Sequence, residues 1–162
     1  MKTYIGIDPG SKGYLVAIRE NSIIDSISIE GHTIYQVADW LNDIQFGNEA
    51  VVAVIEEVHA IYGSSAKGTF AFGEIFGLLK GLLIAYKIPF TEVPPKTWQK
   101  EIWTTGDKVK KAGKVDNKPT SINAAHRLYP THDFRRTPKC KTIDDNYCDA
   151  ALIATYGMRK NL

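Results

Sequence analysis

Three groups of acids, far apart in the chain, carry the most chemistry in this sequence. Asp8 ends the run Tyr4-Ile5-Gly6-Ile7-Asp8, Glu56 and Glu57 follow Val51-Val52-Ala53-Val54-Ile55, and Asp144, Asp145 and Asp149 open the last apolar segment. An acid that ends a buried strand is costly unless it is paired, solvated or holding a cation. On a helix, residues four apart lie about 40° apart around the axis and residues five apart about 140°. Asp145 and Asp149 therefore project together and Asp144 does not join them. Asn146 lies on the same side and offers an amide oxygen. Stacked carboxylates on a mostly apolar helix repel each other, and a divalent cation between them resolves the conflict. All-oxygen sets of this kind suit Mg²⁺ or Mn²⁺. Two such ions roughly 3.5–4 Å apart can stabilise both the attacking and the leaving oxygens at a phosphodiester. The plainer alternatives are a turn-starting Asp8 and a charged helical turn facing solvent.

A second group of residues suits an anionic substrate. Between Lys96 and Lys141 stand twelve Lys and Arg against four Asp and Glu, a local charge of +8 in a chain of net charge +2, so the remainder carries −6. A basic segment beside an acidic body points to a polyanion partner; the alternative is a solvated loop with no partner. Lys100, Lys108, Lys110, Lys111, Lys114 and Lys118 are the candidate phosphate contacts. Residues 104–118 are rich in Gly and Lys and lack apolar periodicity, which predicts a mobile loop.

These residues need elements to position them. Thr3–Pro9, Gly13–Arg19 and Ser22–Ile29 read as three consecutive antiparallel strands, with Pro9-Gly10 supplying turn chemistry. Apolar residues at Ile34, Val37, Ala38, Leu41 and Ile44 recur at helical spacing, and Thr33 can cap that helix. Val51–Ile55 is a continuous apolar run, as in a central strand buried on both faces. The helix before it implies a crossover, so this strand should lie parallel to the first, with both ending in carboxylates at one edge. The longest helix candidate, Gly68–Tyr86, carries Gly73, Gly77 and Gly81 on one face. Each glycine weakens a helix by about 1 kcal/mol relative to Ala. Their alignment implies close backbone packing, against the sheet or against a second copy. A short strand at Ile88–Val93, a helical turn at Thr97–Trp103, a helix at Pro119–Leu128 and a closing helix at Asp144–Tyr156 complete an α/β pattern.

At 162 residues the chain is read as one domain, residues 1–162, with 44% hydrophobic and 23% charged residues. A strand begins at once, so no signal peptide is expected. Lys67, Glu74 and Lys80 interrupt the apolar stretch from Ala66 to Tyr86, which argues against a membrane span. Two thiols, Cys140 and Cys148, suggest a reducing cytoplasm. With His126 and His132 their spacings match no common zinc finger or ribbon.

The hairpin IGIDPGSKG, the strand VIEEVHA and the terminal DDNYCDAALIA, in this order and with PPKTWQK and the lysine-rich stretch between, resemble the RuvC family of Holliday-junction resolvases, particularly its short phage-type members. The resemblance implies a ribonuclease H-like fold, a five-stranded mixed sheet flanked by helices. It implies a Mg²⁺-dependent endonuclease, Mn²⁺ substituting, that nicks branched DNA as a homodimer and leaves 5′-phosphate and 3′-hydroxyl ends. No small-molecule cofactor is implied, and a phage-encoded member would work in its host's cytoplasm. The family pattern falls on Asp8, Glu56 (rather than Glu57), Asp145 and Asp149 as metal ligands. Many members space the last two acids by three, which here is Asn146, so either Asp145 serves or Asn146 takes its place. His59 falls near where cellular relatives stack an aromatic on a base, and His59 or Tyr62 is the counterpart. The family's long central helix usually forms its dimer seam. A non-catalytic binder of branched nucleic acid with the same fold, an RNA–DNA hybrid nuclease and an actin-like kinase are the competing readings. The last needs two such domains where one is legible.

Overall fold

The computed structural model describes residues 1–47, 50–57 and 65–162. Its elements run β1 (Lys2–Asp8), β2 (Tyr14–Arg19), β3 (Ser22–Ser28), α1 (Ile34–Phe46), β4 (Ala50–Glu56), α2 (Ala66–Ala85), β5 (Phe90–Val93), α3 (Pro95–Ile102), β6 (Val109–Lys111), β7 (Lys114–Asp116), α4 (Asn117–Leu128) and α5 (Asp145–Lys160). A five-stranded mixed sheet has the order β3-β2-β1-β4-β5. β1 pairs antiparallel with β2 and parallel with β4, and β4 pairs parallel with β5. Crossing α1 between β1–β3 and β4 produces the parallel pairing that the apolar run of β4 requires. Thr33 caps α1, its hydroxyl accepting from the Gln36 N–H while the Gln36 side chain accepts from the Thr33 N–H.

Strand alternation splits the core in two. Ile5, Ile7, Leu15, Ala17, Ala53 and Ile55 face α1 and α2. Tyr4, Tyr14, Val16, Ile18 and Val54 face α3, α4 and α5. On that second face, β1 and α5 approach until their backbones touch. A Cβ on Gly6 would stand 2.0 Å from the Ala150 carbonyl oxygen and 2.3 Å from the Ala154 nitrogen, and one on Gly157 would stand 2.6 Å from Val54 Cγ2. Ala150, Ala151 and Ala154 supply the matching flat strip on α5, all fully buried.

The stretch expected to be a mobile loop is instead a short hairpin, β6–β7. Ala112 (φ 49°) and Gly113 (φ 77°) form its two-residue turn, both left-handed as such hairpins require. Apolar periodicity missed it because its six strand residues carry only two valines and rely on polar anchors. Asp107, 3% exposed, is the main anchor. Its carboxylate accepts from the Thr104 N–H (2.7 Å) and hydroxyl (2.8 Å), and from Arg127 Nε (2.9 Å) and Nη2 (2.8 Å). The Arg127 guanidinium pulls the Asp107 pKa down to about 2. The Val109 N–H donates to Thr120 Oγ1 at 3.0 Å, which ties the hairpin to α4.

α2 is the other departure. By length and composition alone the helix could cross a membrane, although Lys67, Glu74 and Lys80 interrupt it, and little of its apolar surface is buried. Leu79 and Leu83 are buried against the sheet, whereas Phe70, Leu78 and Ile84 are 74%, 47% and 65% exposed. A Cβ on Gly73, Gly77 or Gly81 would meet nothing within 4 Å. The glycine strip therefore does not pack on the sheet.

Gly6→Ala should prevent α5 from seating on β1. Backbone cannot yield as a flexible side chain does, so the cost should reach at least the ~1–3 kcal/mol of ordinary overpacking. Urea denaturation measures it, and wild-type stability in Gly6→Ala would disprove the contact.

Candidate metal centre

The acids at the strand ends come together because β1 and β4 run parallel and in step. Ile7 is paired with Ile55, so Asp8 and Glu56 end neighbouring strands at the same edge, about 4.8 Å apart in strand spacing. Glu56 shares the face of Val54, toward α5. Alternation sends Glu57 to the opposite face, and its N–H donates to the Val93 carbonyl at 2.8 Å. Strand parity thus selects Glu56, because the sheet has chemically distinct sides that the apolar sequence of β4 did not reveal.

α5 brings the remaining acids. Asp144 is its N-cap, accepting from the Asn146 N–H at 3.0 Å and from Asn146 Nδ2 at 3.2 Å. Asn146 thus turns its amide toward the cap. Asp145, in the first turn, pairs with Lys118 Nζ at 3.0 Å. Asp149 follows one turn later, next to the Ala150 that touches Gly6. Its Oδ1 is buried and has no hydrogen-bond partner among the described residues.

These carboxylates lie in one another's fields. Burial pushes the Asp8 pKa up to about 6; the Gly10 N–H opposes the rise, and the charges of Asp145 and Asp144 add to it. Burial, then the charge of Asp8, pushes Glu56 up to about 7. The Trp98 indole N–H opposes that rise, though it stops short of hydrogen-bond geometry. Asp149 is held well above the usual carboxylate range by burial first, and further by Asp8, Glu56 and Asp145, while the Ser121 hydroxyl pulls the other way. Among the described residues no three Asp, Glu, His or Cys stand close enough together to hold a metal ion as they are placed. The donor set nevertheless fits a hard divalent cation: it is all oxygen, it repels itself, and it includes an orphaned buried carboxylate oxygen.

The basic residues fall into three places. Lys118, in the first turn of α4, is the lysine that reaches the acids. Lys108, Lys110, Lys111 and Lys114 are exposed on and beside the β6–β7 hairpin, which leads directly into α4. Lys100 is exposed on the last turn of α3, next to Glu101, which pairs with Lys160 at the opposite end of α5 from Asp145. His59 and Tyr62 lie outside the described residues.

Sequence reasoning missed Arg136, counting it only as charge. Its guanidinium donates to Asp144 from Nε (2.8 Å) and Nη2 (2.7 Å), donates to the Lys12 carbonyl (3.2 Å), pairs with Glu30, and lies 5.4 Å from the centre of the Tyr14 ring. Tyr14 in turn stacks on Tyr147 of α5 at 4.6 Å. Arg136 therefore clamps the start of α5 to the β1–β2 turn. Nothing in its sequence neighbourhood signals this, because its partners come from three separate segments. Trp98 was visible in PPKTWQK, but its proximity to Glu56 was not.

A scan of protein-family models and a search of curated proteins gave no match. Solved structures of RuvC from Thermus thermophilus are similar to this chain over nearly its whole length. One, described as RuvC in complex with Holliday junction substrate, has a TM-score of 0.63 at 12% identity, covering 99% of this chain and 96% of that one. Another has a TM-score of 0.61 at 13% identity, covering 98% and 96%. The chain has a RuvC-like fold of the ribonuclease H type.

The raised carboxylates make stability depend on pH. Glu56 binds its proton more tightly folded (about 7) than unfolded (4.5). Its stability contribution is therefore favourable in acid and lost as pH rises from about 4.5 to about 7, on the order of 3 kcal/mol in all. In EDTA the melting temperature should be several degrees higher at pH 5.5 than at pH 8, and Glu56→Gln should shrink the difference, with Asp8 and Asp149 keeping the rest. Mg²⁺ should restore stability at pH 8. Equal melting temperatures at the two pH values in the wild-type protein would refute the buried, repelling cluster.

Proposed function

We propose that this chain, as one domain of residues 1–162, is a divalent-metal-dependent endonuclease that nicks branched DNA of the four-way-junction type. The observation that carries the reading is that Asp8, Glu56 and Asp149 lie in one another's fields, with a buried Asp149 oxygen that has no partner among the described residues. The basic hairpin and Lys118 lie beside them. The RuvC-like fold, with a neighbour described in complex with a Holliday junction substrate, supports branched DNA as the partner.

Asp8, Glu56, Asp145 and Asp149 would hold Mg²⁺, with Mn²⁺ substituting. The bound cation supplies charge stabilisation at the phosphodiester during hydrolysis. The chain's own groups do the rest. Ser121 orients Asp149, and the Trp98 indole lies near Glu56. Lys108, Lys110, Lys111 and Lys114 hold the DNA backbone by phosphate charge, independent of sequence. His59 and Tyr62 are the proposed base-stacking residues. Cys140 and Cys148 are free, in keeping with work in a reducing cytoplasm.

The proposed assembly is a homodimer through the outer face of α2. That face is apolar and flattened by Gly73, Gly77 and Gly81, so a second copy of it can approach closely. Between α1 and α2 it opens a groove of about 510 Å³ lined by Tyr35, Ala38, Gly77, Leu78 and Gly81. The same helix reaches the site, since Phe72 lies 3.6 Å from where a Gly10 Cβ would be. A two-fold pair so joined would offer one site to each of two symmetry-related strands.

A non-catalytic binder of branched DNA is the second reading, favoured because no three such groups among the described residues stand close enough together to hold a metal ion as they are placed.

Labelled four-way, flap and linear DNA, with Mg²⁺ and with EDTA, separates the readings. Wild-type protein should nick branched DNA only with Mg²⁺. Asp8→Asn, Glu56→Gln and Asp149→Asn should each lose at least about a hundredfold in rate, the share usually supplied by a group stabilising transition-state charge. Junction binding should survive these changes and fall steeply with added salt. Binding without nicking under every condition would establish the non-catalytic reading. For the assembly, Gly77→Glu should convert the dimer to a monomer in sedimentation velocity. A monomeric wild-type protein would remove α2 as the seam.

A further inference from the structure

Lys118 is oddly placed for a structural residue. It stands in the first turn of α4, where the helix dipole disfavours a cation. Its side chain is 74% exposed, yet its ammonium reaches back 3.0 Å to Asp145 Oδ2, whose own side chain is 25% exposed. Asp145 holds the Lys118 proton more firmly than usual, and the charges of Asp149 and Asp144 act in the same direction. The backbone beneath is fixed: Thr120 Oγ1 donates to the Asp116 carbonyl at 2.6 Å and accepts from the Val109 N–H. The side chain is thus a movable cation on a rigid mount. It borders a cleft of about 330 Å³ that Lys12, Arg136, Asp144 and Asp145 also line.

We propose that Lys118 is a built-in counter-ion of Asp145 that competes with a divalent cation for the same carboxylate, and that the cation, on binding, turns the Lys118 ammonium into the adjoining cleft to meet a substrate phosphate. The inference deepens the nuclease reading and rests on it. Energetics favour the exchange. An exposed lysine–carboxylate pair is weak, whereas a divalent cation answers several carboxylates at once, including the orphaned oxygen of Asp149. Cation loading and phosphate affinity are then coupled, and the coupling is reciprocal.

The test needs no catalysis. Mn²⁺ is titrated into the full chain without DNA, and free Mn²⁺ is read by electron paramagnetic resonance. Lys118→Met should bind Mn²⁺ about two- to fivefold more tightly than wild type, the range of an exposed ion pair removed. Lys118→Arg should match wild type. In an Asp145→Asn background Lys118→Met should have no effect, because the pair is already broken. With Ca²⁺ as the loading ion, the gain in four-way-junction affinity should be smaller in Lys118→Met than in wild type. Unchanged or weaker Mn²⁺ binding by Lys118→Met, in a wild type that does bind Mn²⁺, overturns the exchange and leaves the nuclease reading standing. A wild type that binds no Mn²⁺ overturns both.

Discussion

The structure depends on one contact between two backbones. Where β1 carries Gly6, α5 presents Ala150 and Ala154, and the two main chains meet with no room for even a methyl group. Two residues beyond Gly6 stands Asp8; one residue before Ala150 stands Asp149. The contact that seats the helix therefore also sets how near the acids come. A wider separation, such as a larger residue at position 6 would impose, would leave each carboxylate in its own solvent. The parallel step of β1 and β4 adds Glu56 by the same logic, since paired strands end where their register ends.

That closeness has an electrostatic consequence. The sheet edge gathers carboxylates whose affinity for protons is raised first by burial and further by one another's charges. Ordinary folding would avoid such a cluster, and departures of this kind concentrate where function requires them. The opposite pattern holds at Asp107, whose carboxylate is fully paired and whose pKa is pulled down. One acid cluster is left under tension and one acid is satisfied, and the satisfied one holds the lysine hairpin beside the other. Arg136 performs a similar service, joining the α5 cap to the β1–β2 turn.

Much of this was legible in the sequence. Five strands, and the relative directions of the first four, followed from alternation, from the continuous apolar run of β4 and from the helix preceding it. That Asp145 and Asp149 lie one turn apart on α5 followed from helical geometry, and Asp144 takes the N-cap position before them. What stayed hidden was long-range or polar. Strand parity could not separate Glu56 from Glu57 while both faces of β4 looked apolar, and only the resemblance favoured Glu56; the distinct partners of the two faces give the physical reason. The β6–β7 hairpin escaped because its order comes from Asp107, Arg127 and Thr120, not from buried side chains. Ser121 and Arg136 gave no signal, since their meaning lies in residues far off in the chain.

α2 carries the last step. Its glycines cost helix stability, and the sheet gains nothing from them because their face looks outward. Its exposed Phe70, Leu78 and Ile84 cost solubility in an isolated chain. Both costs are removed if a second flat apolar helix lies along the first, where glycine permits the closest approach. The N-terminal part of α2 also reaches the β1–β2 turn through Phe72, one loop from Asp8. A dimer formed there would therefore stiffen the turn that carries the first acid. The same glycine device would then act twice in this small fold: once inside, seating α5 on β1, and once outside, seating one protomer on another.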